Sequence, residues 1–138
     1  MARASCPATS TRQAREERDP SEALVDRIQI DILVDNKSPD GIVPEHGFSA
    51  WIAVEDRSLL FDTGQGPALA SLVDCPDLPI HAADSLILSH GHYDHTGGVP
   101  LVLESASAVH VYCHPDAISS RYSIHNGNVR QIGMPENS

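Results

Sequence analysis

The chain has 138 residues, with 9 Lys+Arg against 19 Asp+Glu and a formal charge of −10. That length suits one hydrophobic core, and the acidic balance argues against nucleic acid or an anionic membrane as partner, because both need clustered positive charge. No apolar run approaches the roughly 18 residues of a membrane span, and the N-terminal stretch lacks the apolar core of a secretory signal.

In chain order, residues 1–22 are polar, with Arg3, Arg12, Arg15 and Arg18 among serines, threonines and acids, and read as a disordered tail ahead of a folded unit over 23–138. Ser21 to Arg27 suggests a short helical lead-in. Ile28, Ile30, Ile32 and Val34 then recur at period two against Gln29, Asp31 and Asp35, the pattern of a half-buried strand. Asn36 to Gly47 (NKSPDGIVPEHG) holds two prolines and two glycines and reads as a loop. Phe48 to Val54 and Leu59 to Phe61 are apolar runs on either side of Glu55 to Ser58, which predicts a β-hairpin turning at the charged residues.

Proline cannot continue a strand, so Pro67, just after DTGQG, predicts a helix to about Val73. Asp84 to Ser89 returns as a buried strand, and Val99 to Ser105 reads as a helix with Pro100 near its start. Ala108 to Cys113 is a further strand, and His114, Pro115 and Asp116 open a turn into a short helix. Strands first and alternating β and α later give a layered α/β fold. Cys6, Cys75 and Cys113 are odd in number and lack a CxxC pair, so neither a disulfide framework nor a cysteine zinc site is expected, and a reducing cytoplasm fits best.

The stretch LSHGHYDHTGG, Leu88 to Gly98, concentrates ligand chemistry. In an extended segment residues i and i+2 project to one side, so His90 and His92 can offer two imidazoles to one ion. Asp94 and His95 follow once the chain has begun to turn, where they reach a second ion roughly 3.5 to 4 Å from the first. Mixed nitrogen and carboxylate donors suit Zn²⁺ first, with Fe or Mn also compatible. Gly91 is expected to leave room between the two histidines, and Gly97-Gly98 to allow close backbone approach. Thr96 can cap the following helix or hydrogen-bond a ligand, and Asp62 can orient a histidine through its other ring nitrogen.

HGHYDH at His90 to His95, followed by TGG, resembles the HxHxDH signature of the metallo-β-lactamase superfamily, and FDTG at Phe61 to Gly64 resembles its preceding strand-end motif. EHGFS (Glu45 to Ser49), LFDTGQGPAL (Leu60 to Leu69), SHGHYDHTGG (Ser89 to Gly98), HPDA (His114 to Ala117) and IGMP (Ile132 to Pro135) are similar to one branch, the dihydropterin ribofuranosylaminobenzene phosphate synthases. The resemblance implies the N-terminal half of an αββα sandwich. It also implies a first divalent ion on His90 and His92, a second on Asp94 and His95, Asp62 as the orienting acid, and Glu45, His46 and His114 lining a substrate pocket. The implied chemistry is metal-assisted hydrolysis of an ester, phosphoester or related small molecule, with Asp94 also orienting the attacking water. Hydrolysis is favoured over the branch's synthase reaction, since the signature specifies the metal chemistry and not the substrate.

The later half of that family pattern, with its third histidine, bridging aspartate and last histidine, has no match here. Of His110, His114 and His125, His114 is the best substitute for the lost third ligand, as it closes a strand. The expectation therefore has a second form: a catalytically silent, truncated half-domain that binds metal weakly or completes its site with another chain. An uncovered sheet would favour self-association.

Overall fold

The fold is taken from a computed structural model, which describes residues 25, 27–37 and 44–136. The tail expected over residues 1–22 and most of the expected helical lead-in lie outside the described residues. The architecture is mixed α/β, as expected. One five-stranded sheet runs in the order β1(Ile28–Val34), β2(Ser49–Val54), β3(Arg57–Phe61), β4(Ser85–Ile87), β5(His110–Tyr112). The first three strands form an antiparallel meander, and β3, β4 and β5 pair in parallel through Leu59↔Ser85, Phe61↔Ile87 and Ile87↔Tyr112. The β2–β3 turn falls at Glu55 and Asp56, with Glu55 at a φ of 53°.

Three short helices connect the strands: α1(Pro67–Ala70), α2(Tyr93–Thr96) and α3(Val99–Ser105). Helix α1 ends three residues before the expected Val73, because Ser71 to Asp74 continue as turns. The core lies on one side of the sheet. Trp51, Leu60 and Leu86 occupy one face by register and pack against Leu69, Leu72, Leu78, Ile80, Val99 and Val102. Leu60, Leu69, Ile80, Leu86 and Val102 are fully buried; full burial of one such side chain is worth about 2 kcal/mol.

The other face corrects the expectation for β1. Ile28, Ile30 and Ile32, expected with Val34 on one inward face, are 59%, 59% and 54% exposed, whereas Val34, past an irregularity in the β1–β2 register, is 2% exposed. The three isoleucines pair across the sheet with Val54, Ile52 and Ala50, and the surface continues through Leu59, Phe61, Ile87 and Tyr112. The pleat was legible and its direction was not, since period two marks two faces without saying which one is covered.

After β5, a 3-10 turn at Pro115–Ile118 leads to an exposed hairpin, β6(Tyr122–His125) and β7(Asn128–Gln131). No strand was expected in this stretch. Its turn residues Asn126 and Gly127 both have positive φ, at 49° and 77°, the conformation an Asn-Gly pair favours between two strands. Cys75 is buried and disulfide-bonded, against the expectation of unpaired cysteines, while Cys113 is free and exposed. No helix among the described residues is long and apolar enough to cross a membrane.

Candidate metal centre

The parallel pairing of β3 with β4 sets the ends of these strands side by side, so Asp62 and Ser89 leave the sheet as neighbours. Asp62 sits in the left-handed region, φ 55°, which aspartate tolerates better than most residues. Its side chain is 1% exposed. A buried carboxylate needs partners, and it has three. Oδ1 accepts from the Ser89 backbone N–H at 2.8 Å, and Oδ2 accepts from the Ser89 hydroxyl at 2.6 Å and from His95 Nδ1–H at 2.7 Å.

These bonds assign ring tautomers. With Nδ1 donating to Asp62, the Nε2 lone pair of His95 is free. The Ser89 hydroxyl gives its proton to Asp62, so its oxygen accepts from His90 Nδ1–H at 2.9 Å, which puts the His90 lone pair on Nε2, where it accepts from His92 Nδ1–H. One carboxylate thus prepares two imidazoles, one directly and one through Ser89. Ser89 carries no ligand chemistry of its own and does not stand out in the motif. Its position between the buried strand and the first histidine, spatially next to an acid, was the available signal.

His90 Nε2 lies 3.0 Å from His92 Nδ1, and the His90 ring centroid lies 4.5 Å from that of His92 and 4.2 Å from that of His95. Burial, followed by the neighbouring His95 and His92 rings, pushes the His90 pKa below the usual histidine value. That favours the neutral, metal-binding form. His92 is extended, at φ −82° and ψ 148°, and the single turn of α2 then swings Asp94 and His95 out of its line. His95 Nε2 is 3.8 Å from Asp94 Oδ2. Thr96, fully buried, donates its hydroxyl to the His92 carbonyl at 2.9 Å, and the Thr63 hydroxyl donates to the His95 carbonyl at 3.0 Å.

The glycines work by close approach. A Cβ on Gly97 would lie 2.4 Å from the Gln65 carbonyl oxygen, and one on Gly98 would lie 2.6 Å from that of Thr63. Gly91 serves a different neighbour from the one expected. A Cβ there would sit 1.8 Å from the Ala117 carbonyl oxygen, so the missing side chain admits the 115–118 turn and not the flanking imidazoles.

The remaining candidates are placed as follows. The carboxylate of Glu45 accepts from the backbone N–H groups of Gln65 at 2.6 Å and Ala68 at 2.9 Å, tying its loop to the start of α1. His46 Nε2 lies 3.2 Å from Asp94 Oδ2. His114 is exposed, and its Nδ1 accepts from the Asp116 backbone N–H at 3.2 Å.

Asp62, His90 and His95 bring ligand atoms within 4.8 Å of one another. Of these, Asp62 is the weaker donor to a metal, since both its oxygens already hold protein N–H and O–H groups. The donors that fit a borderline divalent cation are the imidazoles of His90, His92 and His95 with the Asp94 carboxylate: three converging rings beside one acid.

Residues 42–135 match the family model of the metallo-beta-lactamase superfamily. The chain belongs to this superfamily. An uncharacterized protein of Methanocaldococcus jannaschii is 38% identical over 112 residues, which cover 78% of this chain and 41% of that protein. The chain thus spans less than half the length of this curated relative. Two solved structures overlap it in part. A candidate metallo-beta-lactamase of Thermotoga maritima has a TM-score of 0.46 at 19% identity, covering 64% of this chain and 44% of that one. A diphosphatase of the PhnP family has a TM-score of 0.44 at 17% identity, covering 66% of this chain and 43% of that one.

Proposed function

We propose that this superfamily member carries the metal-binding loop of a divalent-metal-dependent hydrolase acting on an ester, phosphoester or related small molecule. The observation that supports it best is the buried Asp62, whose bonds to His95 and, through Ser89, to His90 put the lone pair of each ring on Nε2; that of His90 accepts from His92 Nδ1–H, a bond an ion would replace. His90 and His92 would hold one ion and Asp94 and His95 a second, with zinc the first choice. A bound divalent cation would supply Lewis acidity, lowering the pKa of water toward neutrality and offsetting negative charge at the attacked centre. The chain's own contribution is positional. Asp62 and Ser89 keep two rings in the tautomer that can coordinate, and Thr96 holds the His92 backbone. The Asp94 carboxylate would orient the attacking water by accepting a hydrogen bond from it.

The branch motifs EHGFS, HPDA and IGMP favour a place beside the dihydropterin ribofuranosylaminobenzene phosphate synthases, and a phosphate-bearing substrate accords with that. Glu45 serves the fold in this arrangement, which leaves His46 and His114 as the candidates to meet substrate.

A second reading has its own support. A catalytic zinc usually has three protein ligands, whereas each ion here would have two. Among the described residues His114 and His125 are exposed and His110 lies on the exposed strand β5, and none of the three joins the cluster around Asp62. The chain on its own would then bind metal weakly and be silent. Elemental mass spectrometry on the purified chain after dialysis against a mild chelator separates the two, with His92→Ala as control and a nitrophenyl phosphodiester as activity probe. One or two ions per chain, lost in the variant, with turnover of the probe, supports the hydrolase. Retained metal without turnover supports the silent form, and no retained metal in either protein rules out a self-sufficient centre.

A further inference from the structure

The segment Glu45 to Phe48 is fastened on several sides and lies across Asp94. Beyond the Glu45 carboxylate on Gln65 and Ala68, the Gln65 side-chain amide donates to the His46 carbonyl at 2.6 Å. Gly47, at φ 137°, brings its backbone against Asp94 so closely that a Cβ would lie 2.1 Å from the Asp94 carbonyl oxygen. The Phe48 backbone N–H donates to that same carbonyl at 3.4 Å. With the backbone held this way, the His46 ring reaches both Asn36 and Asp94. Its Nε2, 3.2 Å from Asp94 Oδ2, donates there, so its Nδ1, 2.8 Å from the end of the Asn36 side chain, accepts, and the Asn36 amide meets it with its N–H₂ turned toward the ring.

Asp94 Oδ2 has two imidazole neighbours, His46 at 3.2 Å and His95 at 3.8 Å. The His46 side chain is 66% exposed and that of Asp94 13% exposed. An exposed ring fixed between two polar groups adds little to the core, so its contact with a nearly buried acid calls for a role outside folding.

We infer that His46 is a positioning residue for the second ion: it holds the Asp94 carboxylate in the orientation that pairs it with His95, and leaves the His90–His92 pair untouched. The inference rests on the metal reading above and goes beyond it by dividing the loop into two sites of unequal dependence on the Glu45 to Phe48 segment. Partners that orient a metal's carboxylate ligand typically change metal affinity by about 10- to 100-fold.

The test is a calorimetric titration of the whole chain with Co²⁺, with the visible absorption of the bound ion recorded alongside, for wild type, His46→Ala and His46→Gln. The expected result is two binding events in the wild type and a second event weakened about 10- to 100-fold in His46→Ala, the first being unchanged. His46→Gln should recover most of the loss, because its amide N–H can still donate to Asp94. Equal second-ion affinity in His46→Ala and wild type would overturn this inference alone. So would equal weakening of both events, or a wild type that binds one ion. A wild type that binds none would overturn the metal reading and this inference together.

Discussion

The strand ends around Asp62 and the open face of the same sheet invert the usual distribution of residues. Around Asp62 polar groups are buried: Asp62 is 1% exposed, and Thr63 and Thr96 are 0% exposed. Across the open face, Ile28 and Ile30 are each 59% exposed. Burial here follows hydrogen-bond satisfaction and layer geometry more than residue type. Asp62 can be buried because three donors meet it, while the isoleucines of β1 are exposed because no described element packs on their face.

The strongest way to break this contrast is to remove the carboxylate. Asp62→Ala leaves the Ser89 N–H and His95 Nδ1–H without their acceptor and puts a β-carbon in the left-handed region without its compensating bonds. Urea unfolding should show a loss of about 3 to 4 kcal/mol, and chelator-resistant metal should vanish with it; a loss under about 1 kcal/mol would mean that Asp62 is not the organising group.

Gly91→Ala tests the same region by crowding. The new methyl group meets the Ala117 carbonyl oxygen, so the expected cost is about 2 kcal/mol, read as a lower thermal midpoint. An unchanged midpoint would show that the 115–118 turn moves aside freely.

Acid should act more mildly. The His90 pKa is lowered from 6.5, so the unfolded chain binds the proton more readily than the native one. The metal-free protein should therefore lose stability as pH falls from about 6.5 through the lowered value, and the loss should be absent above that window. Denaturation midpoints for wild type and His90→Gln across this range check the sign, since the variant should lack this component.

The smallest effect belongs to the open face. Ile30→Thr keeps a β-branched residue on β1 and should change monomer stability by less than about 0.5 kcal/mol. Light scattering on the same variant gives the complementary readout. If the face takes part in self-association, the apparent mass at high concentration should fall; a stability loss well above that limit would instead show that something already covers Ile30.

Much of the fold was legible because the sequence repeats its message. Period-two isoleucines, a charged turn within Glu55 to Ser58, and a proline at the start of α3 each agree with their neighbours, so β1, β2 and α3 fall close to where expected, while β3 begins at Arg57, two residues before the expected Leu59. What escaped depends on partners distant in sequence. Neither the contact of Gly91 with Ala117 nor the role of Ser89 between Asp62 and His90 can be read from local spacing, because each is created by pairing β3 with β4 or by the turn after β5. The hairpin β6–β7 is a different kind of miss: its Asn126-Gly127 signal was present, but the flanking strands are exposed on both faces and carry no apolar run to draw attention. Of the site, the four ligand-type residues were evident from the motif, and the tautomers that would make two of the histidines useful were not.

The Asp62 network also bears on how the molecule comes together. Asp62 reaches Ser89 across 27 positions and His95 across 33, whereas the β2–β3 hairpin turns on two residues. Closing the longer loop carries the larger entropic cost, so the meander can form first and β4 must dock on β3 before the rings are oriented. A metal ion meeting the unfolded chain would find imidazoles with no fixed tautomer and no shared direction. The oriented rings are thus expected late in folding, and any ion would meet a cluster that the sheet has already built.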